Sequence, residues 1–139
     1  MRVMAIDIGT NSTLHLVADY VNDELTIVER GIVGNMLGIG LGQNNRLAPE
    51  VIERNKQILM DIMVRSEQLG CISIGAVGTY ALRRASNRQA FIEMAASIGL
   101  SLKIISEQEE ANLAWTGLFG STGSAVRTAM LDIGGGSSE

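Results

Sequence analysis

One short pattern occurs twice in the 139 residues and limits what the chain can become. Residues 7–13 read Asp-Ile-Gly-Thr-Asn-Ser-Thr, and residues 132–138 read Asp-Ile-Gly-Gly-Gly-Ser-Ser. Each copy follows an apolar run, Val3-Met4-Ala5-Ile6 or Ala129-Met130-Leu131, so each aspartate stands at the end of a buried strand. Glycines allow a tight hairpin whose backbone N–H groups converge on a phosphate, and the serine hydroxyls add donors. A carboxylate beside such a cradle repels phosphate unless a divalent cation lies between them, and Mg²⁺ takes one or two carboxylates together with phosphate oxygens. A single copy would read as a hairpin whose Asp caps a turn. Two copies a domain's length apart read as the two sides of a phosphate clamp.

The rest of the chain supplies a framework for that clamp. Val3–Ile8 reads as a strand, Thr13–Tyr20 as a second that sets Leu14, Leu16, Ala18 and Tyr20 against Thr13, His15, Val17 and Asp19, and Leu25–Val33 as a third. Their connections are too short for a crossover helix, so they are expected to be antiparallel neighbours. Gly34–Gly42 reads as a glycine-rich loop. Pro49 opens a helix and Gly70 stands past its end, with Val51/Ile52, Ile58/Leu59, Ile62/Met63 and Leu69 tracing one stripe. Ile72–Val77 is a strand. Ser86 to Gln89 has the capping-box spacing and opens a helix that Gly99 closes. Leu102–Ile105 is a strand, and Ser106 to Glu109 a second capping box opening a helix to about Phe119. Gly120–Ser124 reads as a linker and Ala129–Ile133 as a last strand. The order β-β-β-α-β-α-β-α plus one strand predicts an α/β fold, a mixed sheet flanked by helices.

Composition narrows the functional classes. Apolar residues at 46% against 19% charged suffice for a buried core. The net charge of −4 and the scarcity of aromatics, 4%, argue against a nucleic-acid surface. No apolar run reaches the ~20 residues of a membrane span, and no secretory signal precedes Asp7. Cys71 has no internal partner for a disulfide. A soluble, cytoplasmic protein is the expectation.

The two loops, Asp7 to Ser12 and Asp132 to Glu139, resemble the phosphate loops of the actin / sugar kinase / heat-shock-protein superfold, an actin-like ATPase (ribonuclease H-like) architecture. Between them, Gly78-Thr79-Tyr80-Ala81-Leu82-Arg83-Arg84-Ala85-Ser86-Asn87 and Ile104-Ile105-Ser106-Glu107-Gln108-Glu109-Glu110-Ala111 look like the exopolyphosphatase / guanosine pentaphosphate phosphohydrolase (Ppx/GppA) family. Members of that family are roughly twice this length or more. The resemblance therefore divides the chain into an N-terminal domain, 1–124, and the first strand and phosphate loop, 125–139, of a truncated second one. It implies hydrolysis of a terminal phosphoanhydride of inorganic polyphosphate or guanosine pentaphosphate, with Mg²⁺ or another divalent cation, in a cleft that this chain alone does not complete. Glu110 matches the catalytic carboxylate. Asn11, Ser12, Arg83, Gly134, Gly135, Gly136 and Ser137 match phosphate contacts, and Asp132 and Glu139, with Asp7 of the first loop, match the acidic residues around the cation. The resemblance leaves room for a homodimer of the full-length protein. Two other readings share these loops: an ATP-dependent kinase or ATPase of the same superfold, and a non-catalytic polyphosphate or alarmone sensor.

Each candidate has a plainer competitor. Glu107, Glu109 and Glu110 all fall in a helix's first turn, where negative charge is favourable. Glu109, three residues after Ser106, is the natural capping partner, which leaves Glu110 for the cleft. Arg83 follows a strand end, where α/β proteins place ligand groups, and its guanidinium suits phosphate. Arg84 and Arg88 read as surface or secondary contacts. His15 reads as a packed or partly exposed strand residue, Cys71 as a small buried one, and Met36, Met60, Met63 and Met94 as core. Glu107 occupies a position where the family commonly has glycine.

Overall fold

The computed structural model describes residues 1–41, 44–120, 129–131 and 133–136. Five strands form one sheet in the order β3-β2-β1-β4-β5, with β1 Arg2–Ile8, β2 Ser12–Val21, β3 Glu24–Gly34, β4 Ser73–Gly78 and β5 Leu102–Ile104. The first three strands are antiparallel, and β4 and β5 run parallel to β1. This is the mixed sheet expected from short hairpin connections followed by helical crossovers.

One face of the sheet carries the core. Met4, Ile6 and Ile8 alternate along β1 and pack with Leu59 and Ile62 of α2 (Pro49–Gln68) and Phe91 and Ala95 of α4 (Arg88–Ser97). Register then decides which face of β2 is buried. Ile8, Ile6 and Met4 sit opposite Thr13, His15 and Val17, and directly opposed residues share a face. Thr13 and Val17 are therefore buried, while Leu14 is 42% exposed on the far side. The more apolar set of β2 is not the inward one, because the partner strand overrides local pattern. Pairing with β3 shifts register at Val17/Ala18.

Several other expectations are corrected. The glycine-rich stretch is not all loop, since Leu37–Leu41 forms the short helix α1, anchored by buried Leu37 and Leu41. Tyr80–Arg84 forms α3, a five-residue helix that its length hid from periodicity. The capping box at Ser86 does not form. Asn87 caps α4 without a side-chain bond, because its amide instead makes reciprocal bonds of 2.9 Å with the N–H and carbonyl of Leu47. Residues 129–131 have no regular secondary structure. Residues 121–124 of the expected linker lie outside the described residues. Met36 and Met60 are 44% and 41% exposed rather than core, and Cys71 is only half-buried.

The second capping box does form. Ser106 Oγ accepts from the Glu109 N–H at 3.2 Å, and the Glu109 carboxylate accepts from the Ser106 N–H at 2.9 Å, opening α5, Glu107–Phe119. Glu107 sits in this helix as its first residue, so its backbone needs none of glycine's freedom.

Candidate active site

The turns that follow β1, β4 and β5 lie along the carboxyl ends of three adjacent strands, the rim where open α/β sheets bind ligands. The first turn is closed by the Gly9 N–H donating to the Ser12 carbonyl at 3.0 Å. A side chain at Gly9 would press on that same carbonyl at 3.1 Å. Asn35, wholly buried, fixes the turn from behind. Its amide donates to the Gly9 carbonyl at 2.9 Å and to Thr13 Oγ1 at 3.1 Å, and its Oδ1 accepts from the Leu37 N–H at 3.1 Å. The backbone adds Asn35 N–H to the Asn11 carbonyl, 3.0 Å, and Gly38 N–H to the Thr10 carbonyl, 2.8 Å. Asn55 of α2, also buried, donates to the Asn35 carbonyl at 3.1 Å.

The second turn brings α3 to the rim. Thr79 is buried, and its N–H donates to the Ile8 carbonyl at 3.2 Å, tying the end of β4 to the end of β1. One turn on, Arg83 Nη1 donates to Glu110 Oε2 at 2.6 Å and to the Ile105 carbonyl at 3.0 Å. Both side chains of this ion pair are mostly shielded, 16% and 20% exposed. Glu110 also lines a cavity of about 220 Å³ with Asp7, Thr79, Ile105 and Leu113. The carboxylate thus faces the end of β1 that carries the first turn's aspartate.

Glu109 is engaged elsewhere, as its capping role requires. The Lys103 ammonium, then the backbone and hydroxyl of Ser106, hold its carboxyl at about 2, well below the usual value of 4.5. That leaves Glu110, among the first-turn acids, as the one paired to Arg83 and turned to the cavity.

The second glycine loop meets the first. A Cβ on Gly135 would overlap the Asn11 amide, and one on Gly136 would come within 2.5 Å of the Tyr80 ring. Only glycine lets backbone approach this closely. Residues 135 and 136 line a cavity of about 440 Å³ with Thr10, Asn11 and Tyr80.

Of the residues expected from sequence, Asp7, Glu110 and Arg83 come together at one place, and Asn11, Gly135 and Gly136 at a second beside it. Ser12 shapes the first turn through its carbonyl, and Gly134 is exposed. Asp132, Ser137 and Glu139 lie outside the described residues. Among the described residues no three His, Cys, Asp or Glu side chains form a metal-binding group. Asp7 is the described carboxylate of the expected cation set, and one or two carboxylates are what Mg²⁺ takes when phosphate supplies the remaining oxygens. Sequence reasoning missed Asn35, Asn55 and Thr79. The signal for Asn35 was a lone amide where a strand gives way to a glycine-rich segment.

Among the described residues no helix is long and apolar enough to cross a membrane. Residues 16–139 match the model of the Ppx/GppA phosphatase family. A curated protein of Haemophilus influenzae, named as an exopolyphosphatase, is 35% identical over 139 residues, 99% of this chain and 43% of its own length. The crystal structure of an Aquifex aeolicus Ppx/GppA family member superposes with a TM-score of 0.79 at 28% identity, over 85% of this chain and 39% of that one. An exopolyphosphatase from Cytophaga hutchinsonii gives 0.76 at 27% identity, over 81% and 36%. The chain therefore spans less than half the length of these relatives.

Proposed function

Because the chain belongs to the Ppx/GppA phosphatase family, we propose that it forms one wall of a cleft that hydrolyses the terminal phosphoanhydride of inorganic polyphosphate, of guanosine pentaphosphate, or of both. The remaining wall comes from residues beyond this sequence, and 125–139 begin it. The observation that carries the reading is the shielded Arg83–Glu110 pair, whose Glu110 lines the same cavity as Asp7.

In this reading the terminal phosphoryl group approaches the cavity lined by Glu110 and Asp7, and Arg83 turns part of its planar fork from Glu110 to the phosphate oxygens. Glu110, released, takes a proton from water. The water oxygen forms the new bond to phosphorus as the bridging P–O bond breaks, giving orthophosphate and a chain one phosphate shorter. Such a reaction is governed by positioning and by neutralising charge, because its transition state is loose. Asn11, Ser12, Gly134–Gly136 and Ser137 orient the phosphates. Asp7, Asp132 and Glu139 would hold a divalent cation, which when bound withdraws charge from the phosphate oxygens. The substrates and the charge balance fit a cytoplasmic enzyme.

The test is Mg²⁺-dependent phosphate release by the full-length protein from tripolyphosphate, long polyphosphate and guanosine pentaphosphate, with Glu110→Gln beside it. Removing a general base typically lowers the rate ~10²–10⁴-fold. Undiminished turnover in Glu110→Gln would remove that residue from the mechanism, and no release from any of the three substrates would overturn the reading.

A further inference from the structure

The consecutive arginines of α3 diverge. Arg83 is committed to Glu110 and the Ile105 carbonyl, whereas Arg84 lines the 440 Å³ cavity between the two glycine turns. Among the described residues that line it, Arg84 alone carries charge. Its polar and backbone companions are Thr10, Asn11, Asn45 and the Gly135–Gly136 segment, with the Tyr80 ring, Ile39 and Leu41 beside them.

Arg84 is held in place there. Its Nη2 donates to Asn45 Oδ1 at 3.3 Å, and its guanidinium carbon lies 6.0 Å from the centre of the Tyr80 ring. Asn45 is fixed in turn. It adopts a left-handed backbone, φ 47°, which Asn tolerates better than most residues, and its carbonyl accepts from the Ser86 N–H at 2.7 Å. A guanidinium has five N–H donors, and the bond to Asn45 uses one. The others are left for an anion in a cavity whose opposite wall is glycine backbone.

We propose that Arg84 forms a second phosphate subsite, which takes an internal phosphate of the substrate while Arg83 and Glu110 act on the terminal one. The inference rests on the function proposed above and adds to it the residue that reads chain length. The shared chemistry is a phosphate inside a phosphoanhydride chain, whether from a condensed phosphate or from a nucleoside 5′-polyphosphate. Orthophosphate, with no second unit, reaches only the terminal position. A planar, doubly donating guanidinium grips phosphate better than an ammonium, so lysine at this position should serve only in part.

The experiment uses the full-length protein with Arg84→Gln and Arg84→Lys. Binding of tripolyphosphate and of guanosine pentaphosphate is measured by calorimetry, and turnover of each separately. Arg84→Gln should weaken binding and raise KM about tenfold while leaving kcat within about twofold, with Arg84→Lys intermediate. Orthophosphate inhibition should not change. A loss confined to one of the two ligands supports the subsite and identifies its natural source. Unchanged binding of both ligands in Arg84→Gln overturns it, as does equal weakening of orthophosphate. Absence of turnover in the unmutated protein would overturn the proposed function instead, and the binding measurements would still judge Arg84.

Discussion

Arg83 and Glu110, 27 residues apart in sequence, meet at 2.6 Å where α3 and α5 come together past the ends of β4 and β5, and Glu110 lines the cavity that Asp7 also lines. Each limits what the other can do alone. A shielded charge stripped of its partner is more costly than a pair removed together. Arg83→Met and Glu110→Gln should each lower stability by roughly 1–3 kcal/mol, and the double variant by less than their sum. Urea unfolding of the four proteins checks this, and strict additivity would mean the pair contributes no coupling.

Asn35 makes three hydrogen bonds while wholly buried, and through them sets the Gly9–Ser12 turn. Asn35→Ala leaves those partners unsatisfied and should cost about 2–3 kcal/mol. Phosphate-chain affinity should fall with it, because the turn loses its brace. Asn35→Ala with unaltered thermal midpoint and unaltered tripolyphosphate binding would show that the backbone holds the turn unaided.

Gly31 is opposite His15 across β2 and β3, and any Cβ there would overlap the imidazole ring. His15 is packed, 11% exposed, against Glu29, which Arg65 of α2 also binds. Gly31→Ala should destabilise by roughly 1–3 kcal/mol through overpacking. His15→Ala should then suppress most of that loss. The thermal midpoints of the two single variants and the double variant decide it, and an equal effect of Gly31→Ala in both backgrounds would exclude the ring as the cause.

Glu109 supplies a pH-dependent part of stability. Its carboxyl is held at about 2 in the folded chain against an ordinary 4.5, chiefly by Lys103 and then by Ser106. The folded state thus favours the ionised form, and the contribution is complete above about 4.5. It fades as pH falls toward about 2. Glu109→Gln should flatten the stability profile across that window and leave its shape near neutrality. Lys103→Met should raise the Glu109 carboxyl, read directly by NMR titration.

Much of the framework was legible because local signals and tertiary demands agree. Pro49 and Gly70 bracket α2, the Ser106–Glu109 box opens α5, and three short-linked apolar runs give antiparallel strands. Legibility failed where a distant partner decided the outcome. The buried face of β2 follows from Met4, Ile6 and Ile8 across the ladder and not from its own leucines. The Ser86 box lost to the bonds between Asn87 and Leu47, 40 residues away. At the site, the chain singles out Glu110 and Arg83 as candidates but not their mutual bond, because nothing local shows that α3 exists. Arg84 read as a surface or secondary contact and is exposed, while its place beside Asn45 and the second glycine turn depends on segments distant in sequence.

The strand order β2-β1-β4-β5 sets the bends that follow β1, β4 and β5 on a ribbon whose neighbouring members are hydrogen-bonded to one another. Such bends cannot swing as a lid does. Tuning among related proteins must then come from the tips of side chains such as residue 84, and amides just below the rim should be among the slowest in the molecule to exchange with heavy water.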